Sequence, residues 1–228
     1  MLKDKIYDRK IVKKPWGYEY VALRNKNKLA ITFLNINHKK KTSLHCHPSK
    51  KTGFILLKGT AKIQLGLWKK NSYIYKSPSK LMIRTGLFHS IEAISKNGIN
   101  ALEFETPVKK NDLVRYEDSY GRKLKPYEGK NFIKPLKKTN FFFRKATSAI
   151  DQKYKLGKVK IKLKVYKTFD NIINQKDKTI FAVIDGNIID DHNRKLLSVG
   201  DIIKTGTFKK LSKYFKINKS ITLLSVYS

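Results

Sequence analysis

Residues 42–61, TSLHCHPSKKTGFILLKGTA, set His45 and His47 one residue apart and follow them with an apolar run that ends at Gly59. Successive side chains of a strand point to opposite faces, so His45 and His47 share one face and Cys46 takes the other. Two imidazoles on one face, followed by a turn, make half of a metal site. The Cys46 thiol reads as a buried structural group rather than a nucleophile. A third histidine, His89, stands in RTGLFHSIEA (84–93), where Gly86 supplies a tight turn at the end of another strand. Three imidazoles converging inside a barrel would suit Zn, Fe, Ni or Cu better than Mg or Ca. Taken alone, a His-x-His pair is more often surface or core decoration than a ligand pair. His89 changes that only if the fold joins the two hairpins. His38 and His192 have no such neighbours in the sequence and read as surface residues.

The rest of the chain carries the same texture. Short apolar runs recur at LAITFLNI (29–36), AKIQLGLW (61–68), SKLMIRT (79–85) and NALEFET (100–106), punctuated by Gly, Pro, Asn and Ser. The second half repeats it at VKIKLKVY (159–166), TIFAVIDG (179–186), LLSVGDIIK (196–204) and SITLLSVY (220–227). Many short strands with regular turn signals predict an all-β sandwich or barrel. The halves also share an order of features: FILLKG precedes MIRTG in the first, FAVIDG precedes IIKTG in the second. These matches are short, but they fit a duplicated small β-barrel. Residues 107–150 break the rhythm with Pro107, Pro126 and Pro135, a charged DLVRYEDSYGRK stretch and an aromatic FFF at 141–143. That segment reads as a long connection, with a short helix, between two β units.

Composition narrows the function. The chain has 228 residues, 51 Lys plus Arg against 17 Asp plus Glu, a formal charge of +34, and one cysteine. A hydrophobic share of 40% is enough for a core, so a wholly disordered chain is not expected. A single thiol excludes an internal disulfide framework. No apolar run approaches the roughly 18–20 residues of a membrane span, and the N-terminus has no apolar signal region, so a cytoplasmic protein without membrane contact is expected. Among the basic residues only seven are Arg and 44 are Lys. Specific nucleic-acid readers favour Arg for bidentate contacts, so the charge reads as a lysine-rich solvated surface with a general attraction for anions.

The pattern resembles the cupin superfamily. His45, His47 and Gly59 fit the spacing of its first motif, and Gly86 and His89 fit its second. The resemblance implies a jelly-roll barrel with a metal inside. A narrower resemblance is to the cupin domain of type II mannose-6-phosphate isomerases. It rests on KKPWGYEY (13–20), SLHCHPSKKTGFILLKGTAKI (43–63) and ALEFETPVKKNDLVRYEDSYGR (101–122), over about residues 13–122. This implies a cupin domain at 1–125, a connection at 126–150 and a degenerate cupin-like β domain without ligands at 151–228, together a bicupin. The chain departs from the family where His45 replaces Gln, Thr52 replaces the metal-binding Glu, Gly53 replaces the following His and Arg84 replaces a Pro.

The resemblance implies His45, His47 and His89 as ligands of a divalent transition metal (Zn, Fe, Mn or Ni), with no carboxylate at the usual place. Glu103 and Glu105 lie two apart on one strand and share a face, so either could act as acid/base or replace the missing ligand; both could equally face solvent. Arg115, in DLVRYED, is a catalytic candidate or a structural partner of Asp112, Glu117 or Asp118. Lys50, Lys51 and Arg84 are candidates to bind the anionic group of a sugar-phosphate substrate. Trp16 and Tyr18 are expected to pack over the barrel mouth, and Tyr120 and Arg122 to close the segment after it. The expected function is a metal-dependent, mannose-6-phosphate isomerase-like enzyme, an isomerase or epimerase on a sugar phosphate or nucleotide sugar in surface-polysaccharide metabolism, acting as a homodimer. The alternatives are a non-catalytic carbohydrate-binding or scaffold cupin and a three-histidine iron oxygenase.

Overall fold

Alternation of side chains along the strands decides the architecture. In the computed structural model, which describes residues 9–109, 111–122, 133–137 and 139–228, the first half forms eleven strands. They are β1 (Lys10–Lys14), β2 (Gly17–Asn25), β3 (Leu29–Ile36), β4 (Leu44–Cys46), β5 (Lys51–Lys58), β6 (Thr60–Leu65), β7 (Ser72–Lys76), β8 (Ser79–Ile83), β9 (His89–Ala93), β10 (Ile99–Thr106) and β11 (Val114–Glu117). With β12 (Ile133–Pro135) they make a seven-stranded sheet, ordered β12-β1-β2-β3-β10-β5-β8, and a five-stranded sheet, ordered β11-β4-β9-β6-β7. Strand pairs are antiparallel throughout. One face of each sheet closes a core that joins Leu34, Phe54, Leu56 and Ile99 to Ile63 and Ile91. The two antiparallel sheets make the all-β barrel that the sequence predicts.

The second half forms β13 (Gln152–Leu156), β14 (Val159–Tyr166), α1 (Asp170–Ile173), β15 (Ile180–Asp185), β16 (Ile188–Ile189), β17 (Lys195–Leu197), β18 (Ile202–Lys204), α2 (Thr205–Leu211), β19 (Lys216–Ile217) and β20 (Ile221–Tyr227). Its sheets are ordered β13-β14-β20-β15-β18 and β17-β16-β19. The run β14-β20-β15-β18 has the connectivity of β3-β10-β5-β8, and β17-β16-β19 that of β7-β6-β9. The short sequence repeats fall on matching strands, FILLKG and FAVIDG on β5 and β15, MIRTG and IIKTG on β8 and β18. The shared glycines have a shared reason. Gly59 and Gly186 take φ of 84° and 81°, and a Cβ there would come within 2.5 Å of the Gly98 carbonyl oxygen and 2.2 Å of the Ser220 carbonyl oxygen. Only glycine fits that conformation and that approach. Between β14 and β15, where the first half has β4 and its histidines, the second half has α1.

The two halves pack sheet on sheet. The outer face of the seven-stranded sheet, with Ile31, Phe33, Ile55, Leu57, Leu102 and Phe104, meets Ile161, Leu163, Ala182, Ile184, Leu224 and Val226 in one core. The FFF run is the filler at its edge. Phe143 is 2% exposed and its N–H donates to the Ala22 carbonyl, while Phe141 packs edge-on against Phe33. The described residues of 107–150 hold strands and no helix, so the expected short helix is not found there. The expected boundary near residue 125 lies outside the described residues. No helix among the described residues is long and apolar enough to cross a membrane.

Candidate metal centre

The strand β4 is short, and its register places His45 directly opposite His89 on β9. Cross-strand neighbours lie about 5 Å apart at Cβ, and these two ring centroids are 4.6 Å apart. His47 continues the same face, with its ring 5.2 Å from that of His45 and 5.6 Å from that of His89. All three are buried, at 9%, 6% and 1% exposure.

Main-chain carbonyls orient the rings. The Nδ1 of His45 lies 2.8 Å from the Ser43 oxygen, that of His89 3.0 Å from the Leu87 oxygen, and that of His47 bonds the Asp112 oxygen. A carbonyl can only accept, so each Nδ1 carries the proton and each Nε2 keeps its lone pair. Burial, reinforced by the other two imidazoles, holds the His45 pKa well below the ordinary histidine value. Burial brings His89 down to about 4, and burial followed by the Lys50 charge lowers His47. Neutral imidazole is the form that binds metal. The Nε2 atoms of His47 and His89 are buried with no hydrogen-bond partner in the protein. Leaving such an atom unpaired costs about 1–3 kcal/mol, so the chain holds two oriented lone pairs that no group of the protein satisfies.

The carboxylate that sequence reasoning found missing comes from another strand. The ligand atoms of Glu103, on β10, and of the three histidines all lie within 4.8 Å of one another. In the register of β10 against β5, Glu105 is opposite Thr52 and Glu103 opposite Phe54, so Glu103 faces the barrel interior one rung from the family's usual carboxylate position. Burial, followed by the nearby Glu105 and Glu19, raises its pKa to about 8. Of the two replacement carboxylates expected from the sequence, Glu103 stands beside the three histidines, a cluster of three nitrogens and one oxygen that could hold Zn, Fe, Mn or Ni.

Around this cluster lies a cavity of about 600 Å³. Glu105 and Lys50 line it as a pair, the ammonium 2.5 Å from Oε1, and the same oxygen is 3.9 Å from His47 Nε2. Arg115, opposite His45 on β11, also lines it, with Nη1 3.3 Å from the Arg122 oxygen. Asp118, one of the partners expected for Arg115, instead binds Arg122 at 2.7 Å. Lys10, Lys14, Arg24 and Lys109 add positive charge to the wall. Trp16 lines the cavity from a buried position, and Tyr120 closes the segment after the barrel by donating to the Lys41 carbonyl. Tyr18 lies away from the mouth, against Phe33.

Two of the expected anion binders are not brought here. Lys51 points to the opposite side of the sheet and pairs with Asp201 of the second half at 2.6 Å. Arg84 is exposed in the turn after β8. Gly53 also has its explanation in the second half: a Cβ there would sit 2.5 Å from Ile202 Cδ1 and 2.9 Å from Met82 Sδ. Sequence reasoning missed Asp112. Its carbonyl holds His47, and its carboxylate accepts the Ser49 N–H at 2.9 and 3.1 Å. Its signal in the sequence is DLVRYED, whose first residue it is.

A family model described as "Mannose-6-phosphate isomerase C-terminal" matches residues 3–118. No curated protein matches the chain significantly. Among solved structures, a capsular polysaccharide assembling protein, CapF, from Staphylococcus aureus aligns at 13% identity and a TM-score of 0.43, covering 47% of this chain and 34% of that one. A putative sugar phosphate isomerase from Acidithiobacillus ferrooxidans aligns at 16% and 0.32, covering 36% and 51%. KdgF from Halomonas sp. aligns at 10% and 0.38, covering 43% and 86%. The chain thus spans between a third and a half of the length of the first two.

Proposed function

Because the chain belongs to the mannose-6-phosphate isomerase C-terminal family of cupins, we propose that it is a metal-dependent isomerase acting on a sugar phosphate. The observation that carries this reading is the convergence of three carbonyl-tethered imidazoles and the Glu103 carboxylate, with His45, His47 and Glu103 lining a cavity whose wall also carries several lysines and arginines. Held by His45, His47, His89 and Glu103, a divalent ion would polarise the oxygens of an open-chain sugar. The remaining work falls to the chain. An aldose–ketose conversion moves a proton between adjacent carbons, and we assign that proton to Glu105, which the Lys50 ammonium holds in place. Arg115 and the wall lysines attract the phosphate and orient it. Trp16 covers one side and limits water. The shared strand order supports reading residues 151–228 as a second, reduced cupin unit whose ligand strand is replaced by α1.

The test is metal analysis of the purified protein followed by NMR detection of aldose–ketose interconversion across a panel of hexose 6-phosphates. Stoichiometric metal, lost in His89→Ala, with turnover lost in Glu105→Gln but metal retained, supports the proposal. Absence of metal after reconstitution overturns it. Bound metal without turnover on any sugar phosphate overturns the catalytic part and favours a carbohydrate-binding cupin.

A further inference from the structure

The second unit carries a feature that the metal centre does not use. In β13 and β14, Leu156, Tyr154, Val159, Ile161 and Leu163 face the core between the halves. The opposite face carries Lys153 and Lys155 on β13 and Lys160, Lys162 and Lys164 on β14. The register puts Lys153 directly opposite Lys162, and Lys155 directly opposite Lys160. Like charges in that position destabilise a sheet. Asp151 is the acid that answers them, 2.9 Å from the Lys162 ammonium and 3.6 Å from that of Lys164. Lys153, Lys155 and Lys160 are exposed.

The position of this face matters. Matching Phe54 to Phe181 through the repeated FILLKG and FAVIDG runs sets Ser225, opposite Phe181, at the place of Glu103, which is opposite Phe54. Lys162, opposite Ser225, then stands where Thr32 stands opposite Glu103. The face that gathers imidazoles and a carboxylate in the first unit therefore carries lysines and a hydroxyl in the second. A cation-holding surface has become its electrostatic opposite.

We propose that the lysine face of β13 and β14 binds a linear anionic glycan. Lysines at alternate positions repeat about every 6.8 Å along a strand, and the two rows lie about 5 Å apart. A chain bearing one carboxylate or phosphate per sugar, laid along the strands, meets ammonium groups from both rows. Nucleic acid is the less suited polyanion: these positions hold no arginine forks, and the rings beside them are Tyr166, buried under the Lys164 ammonium, and the half-buried Tyr227 opposite Lys160. A bound polyanion would relieve the crowding of like charges that Asp151 relieves only at Lys162 and Lys164.

The experiment measures binding of an octamer of galacturonate and of dT8 to the full chain by calorimetry at low and at physiological salt. Two variants are compared with the parent: Lys153→Gln/Lys155→Gln/Lys160→Gln on the face, and Lys39→Gln/Lys69→Gln/Lys70→Gln elsewhere with the same change in charge. The face variant is expected to lose at least tenfold in affinity for the galacturonate octamer while its melting temperature stays equal or rises, since repulsion is removed. The control variant is expected to lose less than threefold. Equal losses in both variants, tighter binding of dT8 than of the glycan, or no glycan binding by the parent overturns the proposal. Metal content, unchanged by either variant, keeps this outcome separate from that of the first unit.

Discussion

Metal binding to this site should release close to one proton at neutral pH, and that proton should come from Glu103. All three histidines are pushed toward the neutral form, chiefly by burial, so they have none to give. Glu103, with its pKa raised to about 8, is protonated in about nine molecules of ten at pH 7. A carboxylate must lose its proton to ligate a cation. Titrating Zn²⁺ or Mn²⁺ into metal-free protein should therefore release about 0.9 proton at pH 7, about 0.5 at pH 8 and about 0.1 at pH 9. Apparent affinity should climb nearly tenfold per pH unit from 6 to 7 and level off above 9.

Calorimetry in buffers of different ionisation enthalpy measures the proton count directly, because the observed heat varies linearly with that enthalpy and the slope is the number of protons. Glu103→Gln should bring the slope near zero at pH 7 and weaken binding. A slope near zero in the parent protein, or one that survives in Glu103→Gln, would refute the assignment of Glu103 as both ligand and proton donor.

Three further outcomes follow from the same geometry. Asp112→Ala removes the carboxylate that anchors Ser49 beside the carbonyl orienting His47, so metal affinity measured by competition with a chelator should fall about 10–100-fold while the fold persists. Gly53→His restores the family's residue but drives a Cβ into Ile202 and Met82; denaturant titration should show a loss of about 1–3 kcal/mol. The stability of the metal-free protein should fall as pH rises from about 6.5 to about 8. Across that window the unfolded chain has ionised Glu103 while the folded one keeps its proton, a loss of as much as about 2 kcal/mol. Below about 6.5 the three histidines, neutral when folded and protonated when unfolded, act with the opposite sign; urea midpoints at pH 6.5 and 8 test the upper window, with Glu103→Gln flattening the difference.

Much of this was legible in the residues because strand periodicity is simple. Alternation assigned His45 and His47 to one face, Cys46 to the other, and the apolar runs to strands. The expectation that Lys50 and Lys51 both bind the anion ran against that same alternation, and the structure sends the second of them to Asp201. What alternation could not do was choose between Glu103 and Glu105. They share a face, and only the register of β10 against β5 and the depth of the barrel separate them. Likewise DLVRYED was recognisable as a unit, yet what it brings to His47 is the Asp112 carbonyl, with the carboxylate holding Ser49, which no side-chain pattern advertises.

Two of the departures from the family pattern have physical reasons, one in the second half and one in the barrel itself. Position 53 lies on the outer side of β5, where Ile202 packs, so a bulky residue there is excluded by the unit that covers the sheet. Position 52 lies on the inner side, 1% exposed, and its hydroxyl has no partner in the protein. A carboxylate there would be buried directly opposite Glu105, and two close carboxylates cannot both stay ionised without cost. Moving the anionic ligand one strand over, to Glu103, keeps a carboxylate within 4.8 Å of all three imidazoles and leaves Glu105 to pair with Lys50. A barrel interior is a place rather than a stretch of chain, so any strand whose side chain faces that place can supply the ligand. The motif can lose its carboxylate at one position while another carboxylate still faces the three imidazoles.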